Sequence, residues 1–113
     1  MTSIGDYAFS YCPQLREIAL PAGLKHIGEG AFANSYGFSR IVIPEGVTEI
    51  AAWAFAGCSN LAEVILPSTL TAIKSCAFED CVKLDKIDIP AQVREVGKDA
   101  FKNCPCGIGN CAV

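Results

Sequence analysis

Residues 50–72 read IAAWAFAGCSNLAEVILPSTLTA, and this unit of 23 residues repeats along the chain. The preceding unit, residues 27–49, reads IGEGAFANSYGFSRIVIPEGVTE, and the following unit, residues 73–95, reads IKSCAFEDCVKLDKIDIPAQVRE. The three units share an initial Ile, an Ala-Phe pair, a small residue and a late proline, without insertion or deletion. A fixed period between about 20 and 50 residues is typical of a solenoid, in which each coil buries its apolar face against its neighbours.

The same register extends to both ends of the 113 residues. Repeats start at residues 4, 27, 50, 73 and 96, which predicts a single solenoid domain over residues 1–113 with about five coils. The aligned phenylalanines are Phe9, Phe32, Phe55, Phe78 and Phe101. Equivalent residues of adjacent coils should lie about 4.8 Å apart, the spacing of paired strands, so these rings are expected to stack into a spine.

Each unit contains signals for extended segments and for a closing turn. Apolar residues alternate at the end of residues 15–20, as in a half-buried strand, and Pro21 ends that strand because it has no N–H to donate. A second extended piece is expected from Val47 to Ile50. The segment around each Ala-Phe pair is predicted to be a short helical or 3₁₀ turn. The predicted fold is therefore a right-handed repeat solenoid with a parallel β-sheet on one face and these turns on the other.

Composition excludes several classes of function. With 51% hydrophobic and 19% charged residues the chain is not disordered, and a net charge of −3 argues against nucleic-acid binding. The first residues do not form a signal peptide. Residues 50–73 carry a single charge, Glu63, but their Pro67 and polar residues fit the repeat better than a membrane span.

Catalysis is not expected from this sequence. It shows no Ser–His–Asp set, phosphate-binding loop or cofactor fingerprint, so we expect neither an enzyme nor a bound cofactor. His26, Glu49 and Glu95 share one column, but a metal site needs at least three convergent ligands. A surface ion pair is the preferred interpretation of that column, and no metal site is predicted.

The unit I-x-x-x-A-F-x-x-C-x-x-L-x-x-I-x-L-P-x-x-L resembles the BspA-type leucine-rich repeat over residues 4–106. It departs from the commoner leucine-rich repeat, because the asparagine column of that repeat would fall on Gly23, Gly46, Thr69 and Gln92. Proteins similar to this one are surface or secreted proteins of anaerobic bacteria and protozoan parasites. That family is associated with adhesion to host matrix proteins and between cells.

The resemblance implies a leucine-rich-repeat solenoid that serves as a non-enzymatic protein-binding or adhesion module. It also implies location at the cell surface or secretion in the full-length protein, and a protein ligand such as a host matrix or cell-surface protein. The alternative is a structural spacer within a longer surface protein, with no discrete ligand. The spacer alternative predicts that changes at Ile65 and Trp53 are tolerated.

Two variable columns are expected to point outward from the sheet. One contains Ala19, Val42, Ile65 and Asp88, and its apolar members form a candidate partner-binding patch in which Ile65 is the strongest candidate. The alternative is that these residues only satisfy β-propensity. The other column contains Glu17, Arg40, Glu63 and Lys86, whose alternating charges predict an exposed ladder of ion pairs.

The turns offer a second candidate patch. One variable column contains Tyr7, Gly30, Trp53, Cys76 and Asp99. Tyrosine and tryptophan are enriched in contact surfaces, so Trp53 with Tyr7 and Tyr36 is a candidate partner-binding set. The preferred alternative is that Trp53 packs against the neighbouring turn, in the space left by Gly30.

The seven cysteines fall into two groups. The first group shares the small-residue column with Ser35 and is expected to pack as free, small hydrophobic side chains. Its members are Cys12, Cys58, Cys81 and Cys104. The second group is Cys76, Cys106 and Cys111, for which we expect a bridge between Cys106 and Cys111 or crosslinking between molecules through an exposed thiol.

Neither end of the array has a polar capping segment, although an end coil exposes its apolar face. We therefore expect either a fragment of a longer array or end-to-end association between chains.

Overall fold

The computed structural model describes residues 2–16, 18–85 and 87–105, in which the 23-residue coils stack as the repeat predicts. Every strand pair is parallel, and paired residues are one repeat apart in sequence, as in Ile50 opposite Ile73. The strands are β1 (Ser3–Ile4), β2 (His26–Ile27), β3 (Arg40–Val42), β4 (Glu49–Ile50), β5 (Glu63–Ile65), β6 (Ala72–Ile73) and β7 (Glu95–Val96).

The strands form two ladders, one for each extended segment of the coil. The first contains β1 paired with β2, and β6 between β4 and β7. The second contains β3 paired with β5, and each of these strands ends two residues before a proline, Pro44 or Pro67. Both predicted extended segments therefore occur, the second of them as β3 and β5, whereas residues 18–20 and 87–89 of the first and fourth coils are not in strands. Glu17 and Lys86, the other two residues of the predicted charge ladder, lie outside the described residues.

The turn segments differ from the prediction, because in the described residues they are not helical. In the second coil the Ala31 N–H donates to the Gly28 carbonyl (3.2 Å) and the Ala33 N–H donates to the Gly30 carbonyl (3.0 Å). Between them, the Phe32 N–H donates to the Ala54 carbonyl oxygen of the next coil (2.8 Å). Successive N–H groups thus alternate between their own turn and the next coil, and the turn becomes a third ladder.

Left-handed backbone at two positions in every turn explains this alternation. The first position is occupied by Tyr7, Gly30, Trp53, Cys76 and Asp99, and the second by Tyr11, Asn34, Gly57, Asp80 and Asn103. Their φ angles lie between 55° and 75°. A left-handed residue reverses the sense of the backbone, so a right-handed helix cannot propagate through it.

The phenylalanines form the predicted spine. Neighbouring rings in the stack have centroids 5.2–5.5 Å apart and planes within 10° of each other. Phe32, Phe55 and Phe78 are fully buried, whereas Phe9 and Phe101 in the end coils are only partly buried. The rest of the core comes from the aligned Ile, Leu and Val columns around this stack.

The cysteine column makes hydrogen bonds as well as apolar contacts. The thiol of Cys58 donates to the Phe32 carbonyl oxygen of the preceding coil with an Sγ–O distance of 3.1 Å. Cys81 and Cys104 repeat this bond to Phe55 and Phe78 at 3.2 Å and 3.0 Å. The Ser35 hydroxyl donates to the equivalent carbonyl of the first coil. A short side chain with one donor therefore satisfies this column, which explains why Ser and Cys both occur there.

Candidate protein-binding surfaces

The outward side of the second ladder presents an apolar pair. Val42 of β3 lies directly opposite Ile65 of β5, and these side chains remain 42% and 40% exposed. The residues that precede them, Ile41 and Val64, point inward and are buried. This alternation follows from the strand period of two, which sends successive side chains to opposite faces.

The structure places the other two predicted residues beside this pair. Ala19 is exposed and lines one shallow depression with Val42, and Asp88 is exposed and lines another with Ile65. We call these four residues the sheet face. They form a strip across four coils that is apolar except at its Asp88 end.

One ion pair of the predicted charge ladder is formed beside this strip. Arg40 Nε lies 3.1 Å from Glu63 Oε1, and the two side chains are 55% and 57% exposed. Water and salt screen a pair this exposed, so we expect it to contribute at most about 1 kcal/mol to stability.

A groove crosses the turns along the solenoid. Its aromatic residues are Tyr7, Tyr11 and Trp53, all exposed, and small side chains form much of its remaining lining. We call this groove, lined by Tyr7, Ser10, Tyr11, Ala33, Asn34, Trp53, Ala56, Gly57, Glu79 and Asp80, the aromatic groove. The third residue predicted for this patch, Tyr36, is exposed but is not among the lining residues.

Tyr7, and not Trp53, takes the space left by Gly30. A Cβ atom on Gly30 would lie 2.3 Å from Cε1 of the Tyr7 ring, which is closer than two atoms can approach. The preferred sequence interpretation, that Trp53 fills this space, is therefore wrong. Trp53 instead lines the aromatic groove, and the residue is 44% exposed.

Sequence reasoning missed Tyr11, Glu79 and Asp80 as members of the groove. The sequence feature that could have revealed the groove is the recurrence of residues that favour left-handed backbone at two positions of each turn. Glycine and the short polar residues Asn and Asp are favoured in left-handed backbone. Such residues occur four positions apart within one repeat, as Gly30 and Asn34 do.

Cys76, Glu79 and Asp99 converge near one end of the groove. Their potential ligand atoms lie within 4.8 Å of one another. Desolvation, followed by the negative charges of Glu79 and Asp99, raises the pKa of the Cys76 thiol. Structural zinc sites bind through four protein ligands and need a thiolate. Three groups, of which two carboxylates disfavour the thiolate of the third, do not fit such a site, and we assign no metal to them.

The cysteines of the described residues are free thiols. They are Cys12, Cys58, Cys76, Cys81 and Cys104. Burial raises the pKa of Cys58 to about 12, so that thiol stays protonated at neutral pH. The bridge predicted between Cys106 and Cys111 falls outside the described residues.

Comparison with known families identifies the repeat. The sequence profile of the BspA type leucine rich repeat region matches six copies over residues 1–106. The chain belongs to the BspA-type leucine-rich repeat family. This family assignment agrees with the parallel ladders and with the position of every buried repeat column. In the described residues, no helix is both long and apolar enough to cross a membrane.

Solved structures of bacterial leucine-rich repeat proteins are similar to this BspA-type chain. A leucine-rich cell surface protein from Faecalibacterium prausnitzii is 36% identical with a TM-score of 0.87, over 93% of this chain and 27% of that protein. A leucine-rich repeat protein from Bacteroides ovatus is 31% identical (TM-score 0.69), over 91% of this chain and 33% of the other.

A third structure, a leucine-rich repeat protein from Bacteroides capillosus, is 32% identical with a TM-score of 0.66. That match covers 74% of this chain and 59% of the other. The BspA-type chain thus spans between about a quarter and three fifths of the solved chains it matches. No curated protein matches it.

Proposed function

We propose that this chain is a non-catalytic protein-binding module, of the adhesion type, within a surface or secreted leucine-rich repeat protein. The observation that carries the proposal is the sheet face, where Val42 and Ile65 form an exposed apolar pair in direct register. Contact of these apolar side chains with water is unfavourable, so a partner that covers them gains free energy from their burial.

The family and its relatives support this function. Solenoids present extended surfaces that are well suited to binding other proteins. The similar Faecalibacterium prausnitzii protein is a cell surface protein, which supports a surface location for the protein of which residues 1–113 form one solenoid domain. The partner is a protein, such as a host matrix or cell-surface protein, and the residues that contact it are those of the sheet face.

The alternative function is a structural spacer, and the uninterrupted aromatic stack favours it. Five rings in one column, together with the same hydrogen bonds at successive levels, make a stiff rod without any requirement for a ligand. A spacer would tolerate substitutions of exposed residues such as Ile65 that leave the stack intact.

Binding of the purified chain to a panel of host matrix proteins and glycans, measured by biolayer interferometry, separates these two functions. Ile65→Glu places a charge in the centre of the sheet face. Val82→Glu is the matched control, because Val82 is also an exposed aliphatic residue but lies outside the sheet face. Circular dichroism would establish that both variants are folded.

The adhesion proposal expects a saturable signal that Ile65→Glu weakens at least tenfold and that Val82→Glu leaves unchanged. Equal binding by parent and Ile65→Glu would refute the sheet face as the contact surface. Absence of saturable binding across the panel would favour the spacer.

A further inference from the structure

The aromatic groove has a shape and a charge that suit one particular kind of ligand. It encloses about 240 Å³, which is below the range of roughly 300–1,000 Å³ typical of small-molecule pockets. This volume is sufficient for a single long side chain inserted from outside. It shares no residue with the sheet face, so its role can be tested independently of the proposed function.

Small residues create the floor of the groove. The residue directly before the second left-handed position of each turn lines this floor. It is Ser10, Ala33 and Ala56 in the first three coils and Glu79 in the fourth. Ala33 and Ala56 are almost completely buried, so the middle of the floor is apolar. A long aliphatic side chain can lie along the two alanines, beside the Asn34 side chain, which lies over the Gly57 backbone.

Aromatic rings stand at the sides of this floor. Gly30 lacks a side chain, so the Tyr7 ring can lie over its backbone. Tyr7 and Trp53 occupy the same column two coils apart, and Tyr11 stands in the other left-handed column. The faces of tyrosine and tryptophan rings carry negative electrostatic potential and attract cations.

Carboxylates close the far end of the groove. Glu79 is mostly buried, with its side chain 16% exposed, and its nearest recorded cation is Lys102, at 4.0 Å from Oε2 to Nζ. The Asp80 carboxylate accepts a hydrogen bond of 2.6 Å from the neutral Asn103 amide, which leaves its charge uncompensated. Asp99 adds a further negative charge nearby, so among the described residues the carboxylates at this end of the groove outnumber Lys102, the one cation that pairs with them.

We infer that the aromatic groove binds an arginine side chain of an extended peptide segment on a partner protein. The guanidinium plane stacks on the indole of Trp53 and its N–H groups donate to the carboxylates of Glu79 and Asp80. Arginine fits both features because its guanidinium is planar, stacks on aromatic faces and forms paired hydrogen bonds with carboxylates. The aliphatic part of the side chain covers the alanine floor.

Trp53 makes this inference directly measurable, because it is the single tryptophan of the chain. The probe is an acetylated and amidated peptide Gly-Gly-Arg-Gly-Gly, titrated into the full chain while tryptophan fluorescence is recorded. The control peptide replaces arginine by citrulline, which has nearly the same shape but no charge. We expect a saturable fluorescence change with the arginine peptide and at least tenfold weaker binding of the citrulline peptide.

Variants with opposite predicted effects sharpen the test. The double variant Glu79→Gln/Asp80→Asn should weaken arginine-peptide binding at least tenfold, while Asn keeps the left-handed backbone at position 80, as Asn34 and Asn103 do at the equivalent positions. Lys102→Ala removes the competing cation and should strengthen binding at least about twofold. Asp88→Asn removes a charge from the sheet face and should leave peptide binding unchanged.

The inference is overturned by equal binding of the arginine and citrulline peptides, or by the absence of any saturable change in fluorescence. It is also overturned if the double variant, shown to be folded by circular dichroism, binds the arginine peptide as the parent does. Loss of peptide binding in Ile65→Glu would contradict the assignment to the groove, whereas failure of the adhesion experiment would leave the groove measurement unaffected.

Discussion

The ring of Tyr7 lies where a side chain on Gly30 would have to be, with 2.3 Å between Tyr7 Cε1 and the position of a Cβ atom. Gly30 also has left-handed backbone, with φ of 63°. Gly30→Ala therefore combines backbone strain of roughly 1–2 kcal/mol with a smaller cost of displacing the exposed Tyr7 ring. We expect a loss of about 2 kcal/mol in the free energy of unfolding, measured by urea denaturation.

Two further variants separate the strain from the steric conflict. Gly46→Ala also introduces alanine at a positive φ, 106°, but no atom lies closer than 3.7 Å to its Cβ position, so it should cost only the backbone contribution, about 1–2 kcal/mol. Combining Gly30→Ala with Tyr7→Ala should recover part of the stability lost in Gly30→Ala. Additive losses in that double variant would show that the ring does not obstruct the alanine.

Removal of one ring from the aromatic stack is expected to cost more stability in the middle of the solenoid than at its end. Phe55 has stacked neighbours on both sides, whereas Phe101, in the part of the chain that the structure describes, stacks on Phe78 alone. Phe→Leu keeps most of the apolar area but removes the stacking, which contributes about 0.5–1.5 kcal/mol for each pair. We expect Phe55→Leu to lower the free energy of unfolding about twice as much as Phe101→Leu. Equal losses in denaturant titrations would contradict an independent contribution from each ring pair.

Because the Cys58 thiol is buried, we expect the folded protein to lose stability at alkaline pH. Burial raises the pKa of its thiol from 9.0 to about 12, so the folded state holds the proton more tightly than the unfolded chain. The contribution is fully present below pH 9.0 and is lost between pH 9.0 and about 12 as the unfolded chain deprotonates. A single group of this kind changes the free energy of unfolding by at most about 1.4 kcal/mol per pH unit within that window.

Cys58→Ser is the matched variant, because Ser35 already fills the equivalent place in the second coil. Its hydroxyl should keep the hydrogen bond to Phe32 and remove the titrating thiol. We expect the parent to lose more stability than Cys58→Ser when urea unfolding is compared at pH 8 and pH 10.5. Parallel pH profiles for the two proteins would exclude this thiol as the source of the alkaline loss.

The Arg40–Glu63 ion pair is expected to be nearly neutral for stability. Both side chains are more than half exposed, and exposed pairs contribute about 0–1 kcal/mol. A double-mutant cycle with Arg40→Met and Glu63→Gln, measured by thermal unfolding at low and high salt, tests this. A coupling above about 1 kcal/mol that persists in high salt would mean that the pair is less screened than its exposure indicates.

The sequence period was sufficient to predict which residues stack. The alignment of Phe32 with Phe55 determined both the aromatic spine and the parallel register, because a solenoid places residues one repeat apart in contact. The same alignment identified Val42 and Ile65 as neighbours on the outward face. These predictions succeeded because they depend only on the order of coils and on the strand period.

The turn geometry and the groove required the structure. The sequence predicts helical or 3₁₀ turns at the Ala-Phe segments, because the repeat alignment does not report the sign of φ at Trp53 or Cys76, two residues other than glycine that adopt left-handed backbone. The Tyr7 ring lies over Gly30 because the Tyr7 side chain points toward the next coil, and the repeat alignment does not report that direction. Glu79 and Asp80 join Trp53 for the same reason, since their directions follow from the left-handed turns.

Each buried coil meets the next through the same contacts: a ring on a ring, a thiol or hydroxyl on a carbonyl, and turn N–H groups on turn carbonyls. Duplication or loss of one whole coil in the gene would leave every remaining coil with partners of the kind it already has. Loss of a shorter segment would shift all following side chains off their columns. In this architecture, the length of an array can drift from one lineage to the next while the coil itself stays constant.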